Sequence, residues 1–324
     1  MQMKACLIYN AAAGSAADDV FDRVHAILAP RFELNVLRTG PDRDPSACAR
    51  EALDAGAEML IAAGGDGTVS SVAAVLAQSE VPLGILPCGT SNSLAAALGI
   101  PGDPIAACET LLADHRRVID TALVGNHCMV LHTSVGLHAD TVADTAGEDK
   151  HRWGVLAYVA TALRKLSTLA PFEVELETDE QIVRCRAVAV TVANMAPLRT
   201  VLAQGPSALV GDDGLLDVTV VAATTLNAAV ATGIHLFLTA ARGEPATRDE
   251  VGYFSCRRLR ILADPAQQVL VDGEAAGTTP ITIECRPASL VVLAPPSAEP
   301  EKVGPEIKLP TSPEAQVEIE ASEA

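Results

Sequence analysis

Two short stretches hold the residues that could do chemistry. Gly64-Gly65-Asp66-Gly67-Thr68 follows an apolar run, Met59 to Ala63, and precedes a helical pattern from Val69 to Leu76. Glycines between a buried strand and a helix start let the backbone approach a ligand closely. A helix start presents unpaired N–H groups and a partial positive charge, which favour phosphate. Asp66 repels phosphate unless a metal ion or a proton intervenes, so a carboxylate in such a loop points to phosphoryl transfer. The second stretch is Asp272-Gly273-Glu274. Two readings stay open for it: a carboxylate projecting into a cleft to take a hydroxyl proton, or an exposed residue after an Asp-Gly hairpin turn.

The elements that must position these residues alternate along the first part of the chain. Strands are expected at Ala5 to Tyr9, Phe32 to Leu37, Met59 to Ala63 and Leu83 to Leu86. Helices are expected at Asp18 to Leu28, Pro45 to Ala55, Val69 to Leu76, Ser93 to Leu98 and Pro104 to Ala113. This rhythm implies a mostly parallel sheet covered on both faces, with ligands bound beyond the carboxyl ends of its strands. Three loops sit at such ends: Asn10 to Ser15, Gly64 to Thr68, and Pro87 to Asn92. Together they suit a polyphosphate. The lysine of a Walker-A loop is missing and no GxGxxG follows a strand, so neither a P-loop ATPase nor a standard dinucleotide fold is indicated.

After about residue 121 strand signals dominate: Cys128 to Val135, Phe172 to Thr178, Arg184 to Val192, Leu216 to Val221, Arg258 to Leu262, Gln268 to Val271, Ile281 to Cys285 and Leu290 to Leu293. Helical stretches interrupt them around Val155 to Leu166 and Leu226 to Ala241. A sandwich-like second domain follows. From Pro295 the chain turns to Pro, Glu, Ser and Ala. Residues 297–324 hold seven glutamates and two lysines, the composition of a solvated, disordered tail. The expected organisation is an α/β nucleotide-binding domain with a mostly parallel sheet at 1–122, a mainly antiparallel β-sandwich domain at 123–294, and an acidic tail at 295–324.

The chain has 324 residues, enough for two domains, and 49% of them are hydrophobic. Aromatics are 3% and the net charge is −18; both argue against nucleic acid as a partner, and the charge argues against general attraction to an acidic membrane. The eight cysteines are scattered without a CxxC pair, which suits reduced cytosolic thiols better than a zinc site or disulfide framework. No apolar leader follows Lys4, and the uncharged stretch Val218 to Ala241 is broken by polar residues, so no membrane span is expected.

With these residues in hand, the chain resembles the diacylglycerol kinase catalytic-domain family of bacterial-type lipid kinases, with its sphingosine and ceramide kinase relatives. The likeness rests on GGDGT at Gly64 to Thr68, LGILPCGTSNSLAAALGIP from Leu83 to Pro101, VID at Val118 to Asp120 and HTSVGLHAD from His132 to Asp140. KHRWGVLAY from Lys150, DDGLLDV from Asp212 and VDGEAAGTTP from Val271 continue it. GGDGT alone is shared with NAD kinases and phosphofructokinases; the third loop and the DGE segment are more specific.

The resemblance implies an ATP- and Mg²⁺-dependent kinase acting on a lipid hydroxyl, with the active site in a cleft between two domains. It implies ATP contacts from Asn10, Thr39, Gly64, Gly65, Asp66, Gly67, Thr68, Thr90 and Asn92. Asp66 would organise Mg²⁺ and phosphates, Asp120 would support that network, and Glu274 would be the general base. A structural metal is implied at Asp212, Asp213 and the Leu215 carbonyl, where oxygen ligands suit Mg²⁺. The lipid would be met at, or extracted from, a membrane by a cytoplasmic protein in transient peripheral contact. The stretch Lys150 to Phe172, without an acidic residue, reads either as an interfacial helix or as an ordinary packed helix. This chain departs from the family pattern at Ser93, where an Asp is usual, at Ala11, where a Pro is usual, and after Asn194, where a glycine run is usual. Val210, three residues before Asp213, can offer a metal only its carbonyl. Two other readings are an NAD kinase-like phosphotransferase with a soluble substrate and a nucleotide- or lipid-binding module with weakened catalysis.

Overall fold

The computed structural model describes residues 2–10, 17–40, 42–136, 170–196, 211–222, 231, 232, 235, 239, 247–296 and 307–322. The chain divides into two compact units, Met1–Thr121 with Arg286–Glu299, and Ala122–Cys285 with Pro300–Ala324. The expected helix Val155 to Leu166, most of the expected helix Leu226 to Ala241, the loop Ala11 to Ser15 and Val210 lie outside the described residues.

In the first unit β1 (Met3–Asn10), β2 (Phe32–Thr39), β3 (Met59–Gly64) and β4 (Leu83–Pro87) form a parallel sheet in the order β2-β1-β3-β4. Every residue of β3 and β4 is buried, as central parallel strands under helices require. The helices are α1 (Ala17–Leu28), α2 (Pro45–Asp54), α3 (Asp66–Leu76), α4 (Ser93–Ala97) and α5 (Pro104–Ala113). α2 and α5 start alike. The carboxylates of Asp44 and Asp103 accept the N–H groups of Ala47 and Ala106, and a proline opens each first turn. β5 (Arg116–Val124) follows α5. A strand from far along the chain, Ile281–Leu293, sets Val292 parallel against Leu83, so the sheet gains a late strand.

The second unit is built on antiparallel strands. β6 (His127–Met129) forms a hairpin with the end of β5. β7 (His132–Val135), β8 (Phe172–Thr178), β9 (Gln181–Ala187), β10 (Ala189–Ala193), β11 (Leu216–Val221), β12 (Val251–Cys256), β13 (Arg258–Asp264), β14 (Gln268–Val271), β15 (Glu274–Thr278), the long β16 (Ile281–Leu293) and β17 (Glu318–Ala321) follow. One sheet runs β12-β11-β10-β7-β14-β15, and a second set runs β17-β9-β8-β13-β16. Alternation fills the space between them. On β8, Phe172, Val174 and Leu176 are buried while Glu173, Glu175 and Glu177 point outward. They pack in one core with Val190, Val218, Phe254, Leu259 and Ile283. On the outer face Glu175 meets Arg184 at 2.6 Å and Glu177 meets Arg260 at 3.1 Å. Arg258 and Arg260 of β13 are half exposed and paired with acids.

Several elements differ from expectation for local reasons. Cys128 to Val135 is not one strand: it breaks at Val130 and Leu131, whose N–H groups leave the ladder for Asp272. Arg184 to Val192 is two strands in different sheets, parted at Val188, whose N–H bonds Val221 O. The two expected strands at 281–285 and 290–293 are one, bent at Ala288 with φ 49°. The tail is not disordered throughout. Residues 307–322 are ordered against the second unit because β17 finds unpaired backbone groups on β9. Among the described residues no helix is long and apolar enough to cross a membrane.

Candidate active site

The parallel strands end in register: Asn10 lies beside Thr39, Tyr9 beside Ala63, and Gly64 beside Pro87. Asn10, Thr39 and the turns after β3 and β4 therefore share one sheet edge. Asn10 Nδ2 donates to Thr68 Oγ1 and Thr39 Oγ1 donates to Tyr9 O, each at 3.5 Å. The turns after β3 and β4 are joined by Cys88 N donating to Gly64 O at 2.9 Å.

Glycine is needed where these turns touch. A Cβ on Gly89 would stand 2.5 Å from Gly65 Cα, and one on Gly64 would stand 2.6 Å from Thr68 Cβ. α3 starts three residues earlier than the apolar periodicity suggests, so Asp66, Gly67 and Thr68 are its first turn and Gly65 its N-cap. No side chain caps it, which leaves first-turn amides for another acceptor. Asp66 is half-buried, and its Oδ1 accepts the N–H of Ser93 at 2.6 Å. Among the described residues no donor reaches its Oδ2.

In the third loop Asn92 adopts the left-handed conformation (φ 49°) and closes a turn on Gly89. Its Oδ1 accepts Gly89 N and its Nδ2 donates to Gly89 O, both at 2.9 Å. Thr90 is exposed at the tip of that turn. Asp120 is 1% exposed and its Oδ1 accepts Ala288 N at 2.7 Å. It thus fixes the bend of β16, a role its position in the sequence does not reveal.

In the second unit the Asp-Gly hairpin is real. Asp272 and Gly273 have φ 49° and 91° and connect Val271 to its cross-strand partner Glu274. Glu274 is exposed at the head of β15. The carboxylate of Asp272 accepts three N–H groups, from Val130 at 2.9 Å, Leu131 at 2.9 Å and His132 at 3.0 Å. Burial pushes its pKa up, and the three amides with His132 pull it back. Asn194, 1% exposed, donates to Val130 O at 2.9 Å and steadies the same segment. In the sequence Asp272 reads only as part of a hairpin turn and Asn194 only as the start of a departure from the family pattern; an acid directly after the buried run Val269-Leu270-Val271 is the signal for the further role of the first.

At DDGLLDV, Asp213 Oδ1 accepts Leu215 N at 3.0 Å across a turn with Gly214 at φ 75°. Asp212 is exposed. No cluster of three or more His, Cys, Asp or Glu side chains able to hold a metal occurs among the described residues. Mg²⁺ is commonly held by one or two carboxylates with carbonyl oxygens and waters; Asp212, Asp213 and the Leu215 carbonyl offer oxygens of that kind, and Val210 lies outside the described residues. Asp66 also fits a Mg²⁺ ion, as a half-buried carboxylate with one oxygen fixed. The basic stretch Lys150 to Lys165 lies outside the described residues.

The chain thus combines a parallel sheet, with amide-rich turns on its carboxyl edge, and an antiparallel sandwich. Residues 4–124 match the diacylglycerol kinase catalytic domain, and residues 132–294 match the YegS C-terminal NAD kinase beta sandwich-like domain. The chain belongs to the diacylglycerol kinase family. It is 29% identical over 287 residues to a diacylglycerol kinase of Bacillus subtilis, covering 86% of this chain and 91% of that one. It is 31% identical over 289 residues to a protein of Xanthomonas euvesicatoria named "Probable lipid kinase YegS-like", covering 84% and 90%. An uncharacterized protein of Synechocystis sp. is 38% identical over 240 residues, which cover 74% of this chain and 55% of that longer one. A crystal structure of diacylglycerol kinases from Bacillus anthracis str. Sterne shares the fold, with a TM-score of 0.68 at 23% identity over 90% of this chain and 97% of that chain.

Proposed function

We propose that this chain is an ATP- and Mg²⁺-dependent lipid kinase that transfers the γ-phosphate to the hydroxyl of diacylglycerol or a related lipid. The observation that carries the reading is the shared sheet edge, where Asn10 and Thr39 end their strands beside two glycine turns, one of which leads into α3 with Asp66 and Thr68 in its first turn. Family membership supports it.

In this reading the first-turn amides of α3 take phosphate oxygens, and Asn10, Thr39, Thr68, Thr90 and Asn92 hold the nucleotide. Asp66, steadied through Oδ1 by Ser93 N, offers Oδ2 to the metal. Mg²⁺, when bound, neutralises charge on the phosphates. Asp120 supports this region by fixing β16. Glu274 takes the hydroxyl proton as the lipid oxygen bonds to the γ-phosphorus and the bond to the bridging oxygen of ADP breaks. Asp272 holds the turn that carries Glu274. Work in the cytoplasm with transient membrane contact follows from a lipid acceptor.

The test is turnover with Mg-ATP and a panel of diacylglycerol, sphingoid bases and polyprenols in vesicles, with NAD as the soluble control. Lipid phosphorylation that collapses in Asp66→Asn and Glu274→Gln is the expected result. Phosphorylation of NAD alone would move the chain to the NAD kinase-like reading. ATP binding without turnover on any acceptor would make it a binding module.

A further inference from the structure

The tail segment 307–322 lies beyond both family matches, the later of which ends at residue 294, yet it is bound to two sheet edges of the second unit. β17 pairs antiparallel with β9, from Glu318 beside Arg184 to Ala321 beside Gln181. Upstream, Lys308 and Tyr253 exchange both backbone hydrogen bonds, at 2.6 and 2.9 Å, on the outer edge of β12. Thr311 N and Ser312 N donate to Asp249 O, and Lys308 Nζ donates to Arg248 O at 2.7 Å. Without the segment, β9 and β12 would be the end strands of their sheets, with unpaired N–H and C=O groups along them.

The fit is specific in side chains as well. Pro310 is buried over Gly252 of β12, and a Cβ at residue 252 would collide with the proline ring. Leu309 and Val317 pack against the sandwich core, and Ala315 is fully buried. Arg184 of β9 is held between Glu175 at 2.6 Å and Glu320 of the tail at 2.7 Å. The grip is nonetheless light: every side chain of β17 is exposed, with Ile319 at 55%. Short elements with few buried contacts open locally at low free energy.

We propose that the edges of β9 and β12 form a strand-docking surface, and that the tail of a second copy of this chain can occupy it in place of the resident tail, joining two chains by strand exchange. The partner's chemistry is written in the resident segment: a Leu-Pro pair for Gly252, apolar Val317 for the core, and an acid for Arg184. A second copy presents the same contacts, and exchanging identical elements creates no new interface to optimise. The ten residues 297–306 that lead from the first unit's late segment to the tail can span up to ~33 Å. Closure within one chain keeps the advantage of high effective concentration, so exchange shows when either edge or tail is disabled.

Two full-length variants test it by complementation. Pro310→Asp with Val317→Asp and Ile319→Pro frees the tail from both edges and leaves the edges intact; Gly252→Val blocks the β12 edge and leaves the tail intact. Mixed, they are expected to form a one-to-one complex of twice the 33.5 kDa chain mass in sedimentation, while Gly252→Val alone stays at its single-chain mass. A synthetic peptide of residues 307–322 should bind the free-tail variant and lose at least tenfold in affinity when Gly252→Val is added. A mixture that sediments as the sum of its parts, or a peptide that binds both receptors equally, overturns the proposal. Should Gly252→Val fail to fold, Gly252→Ala carries the same collision with Pro310 and replaces it.

Discussion

Asp66 accepts the backbone N–H of Ser93 at 2.6 Å, so the acid in the first turn of α3 also anchors the start of α4. The donor belongs to the main chain. Replacing the usual family Asp by Ser at position 93 therefore leaves this bond intact and removes only a carboxylate beside it. Ser93→Ala is expected to hold kcat within about twofold, the range of a substitution that breaks no buried contact. Asp66→Asn keeps an acceptor oxygen but loses the charge that phosphoryl transfer needs, and kcat should fall by roughly 10²–10³-fold. Steady-state kinetics at saturating ATP checks both; a Ser93→Ala loss as deep as that of Asp66→Asn would refute the assignment.

Gly65 and Gly89 meet backbone to backbone, and the contact is asymmetric. A Cβ on Gly89 comes to 2.5 Å from Gly65 Cα, whereas one on Gly65 comes no closer than 3.4 Å to Gly89 Cα. Gly89→Ala must push the two turns apart and should cost ~1–3 kcal/mol, as overpacking of a tight contact does. Gly65→Ala meets ordinary contact and loses only an N-cap preference. Thermal unfolding should show a clear drop for the first variant and a small one for the second. Equal drops would mean that the close approach is not what requires glycine.

The first unit was readable because its signals are local. An apolar run bounded by glycine or an Asp-Pro start fixes a strand or helix wherever it occurs, and β1 to β4 with α2 and α5 follow those signals closely. The site edge was readable for the same reason: parallel strands put their carboxyl ends together. What the sequence hid depends on partners far along the chain. The break at Val130 exists because Asp272 is there, the bend at Ala288 because Asp120 is there, and β17 because β9 has a free edge. Composition marked 307–322 as solvent-loving, and its β17 side chains are indeed exposed; its backbone, which composition does not describe, decides its place.

Asp272 predicts a separable pair of losses. Asp272→Ala would leave the N–H groups of Val130, Leu131 and His132 without their acceptor and should cost ~3 kcal/mol or more, since each buried orphan donor costs about 1–3 kcal/mol. Asp272→Asn keeps one oxygen for Leu131 and His132 but turns an amide donor toward Val130 N, so an intermediate loss is expected. Because the same turn presents Glu274, kcat should fall in the order Asn before Ala while the KM for ATP stays near its starting value. Urea unfolding and kinetics on the same preparations check this. A kcat unchanged in the alanine variant would separate Asp272 from Glu274 entirely.

Asp217 gives a pH prediction. Burial pushes its carboxyl from 3.8 up to about 6, helped by Asp213 and opposed by the hydroxyl of Ser255, which donates to it at 2.7 Å. The folded state therefore holds this proton at pH values where the unfolded chain has released it. Stability from this group is full below about pH 4, falls as pH rises towards 6, and is flat above. Above pH 6 a charged carboxylate sits where a neutral one is preferred, at a cost on the order of 1–3 kcal/mol. Asp217→Asn stays neutral at all pH and still accepts from Ser255. It should raise the unfolding temperature at pH 7.5 and leave it unchanged at pH 4, measured as the difference between variant and parent across that range. A difference that does not vary with pH would place the ionisation of Asp217 outside the folding equilibrium.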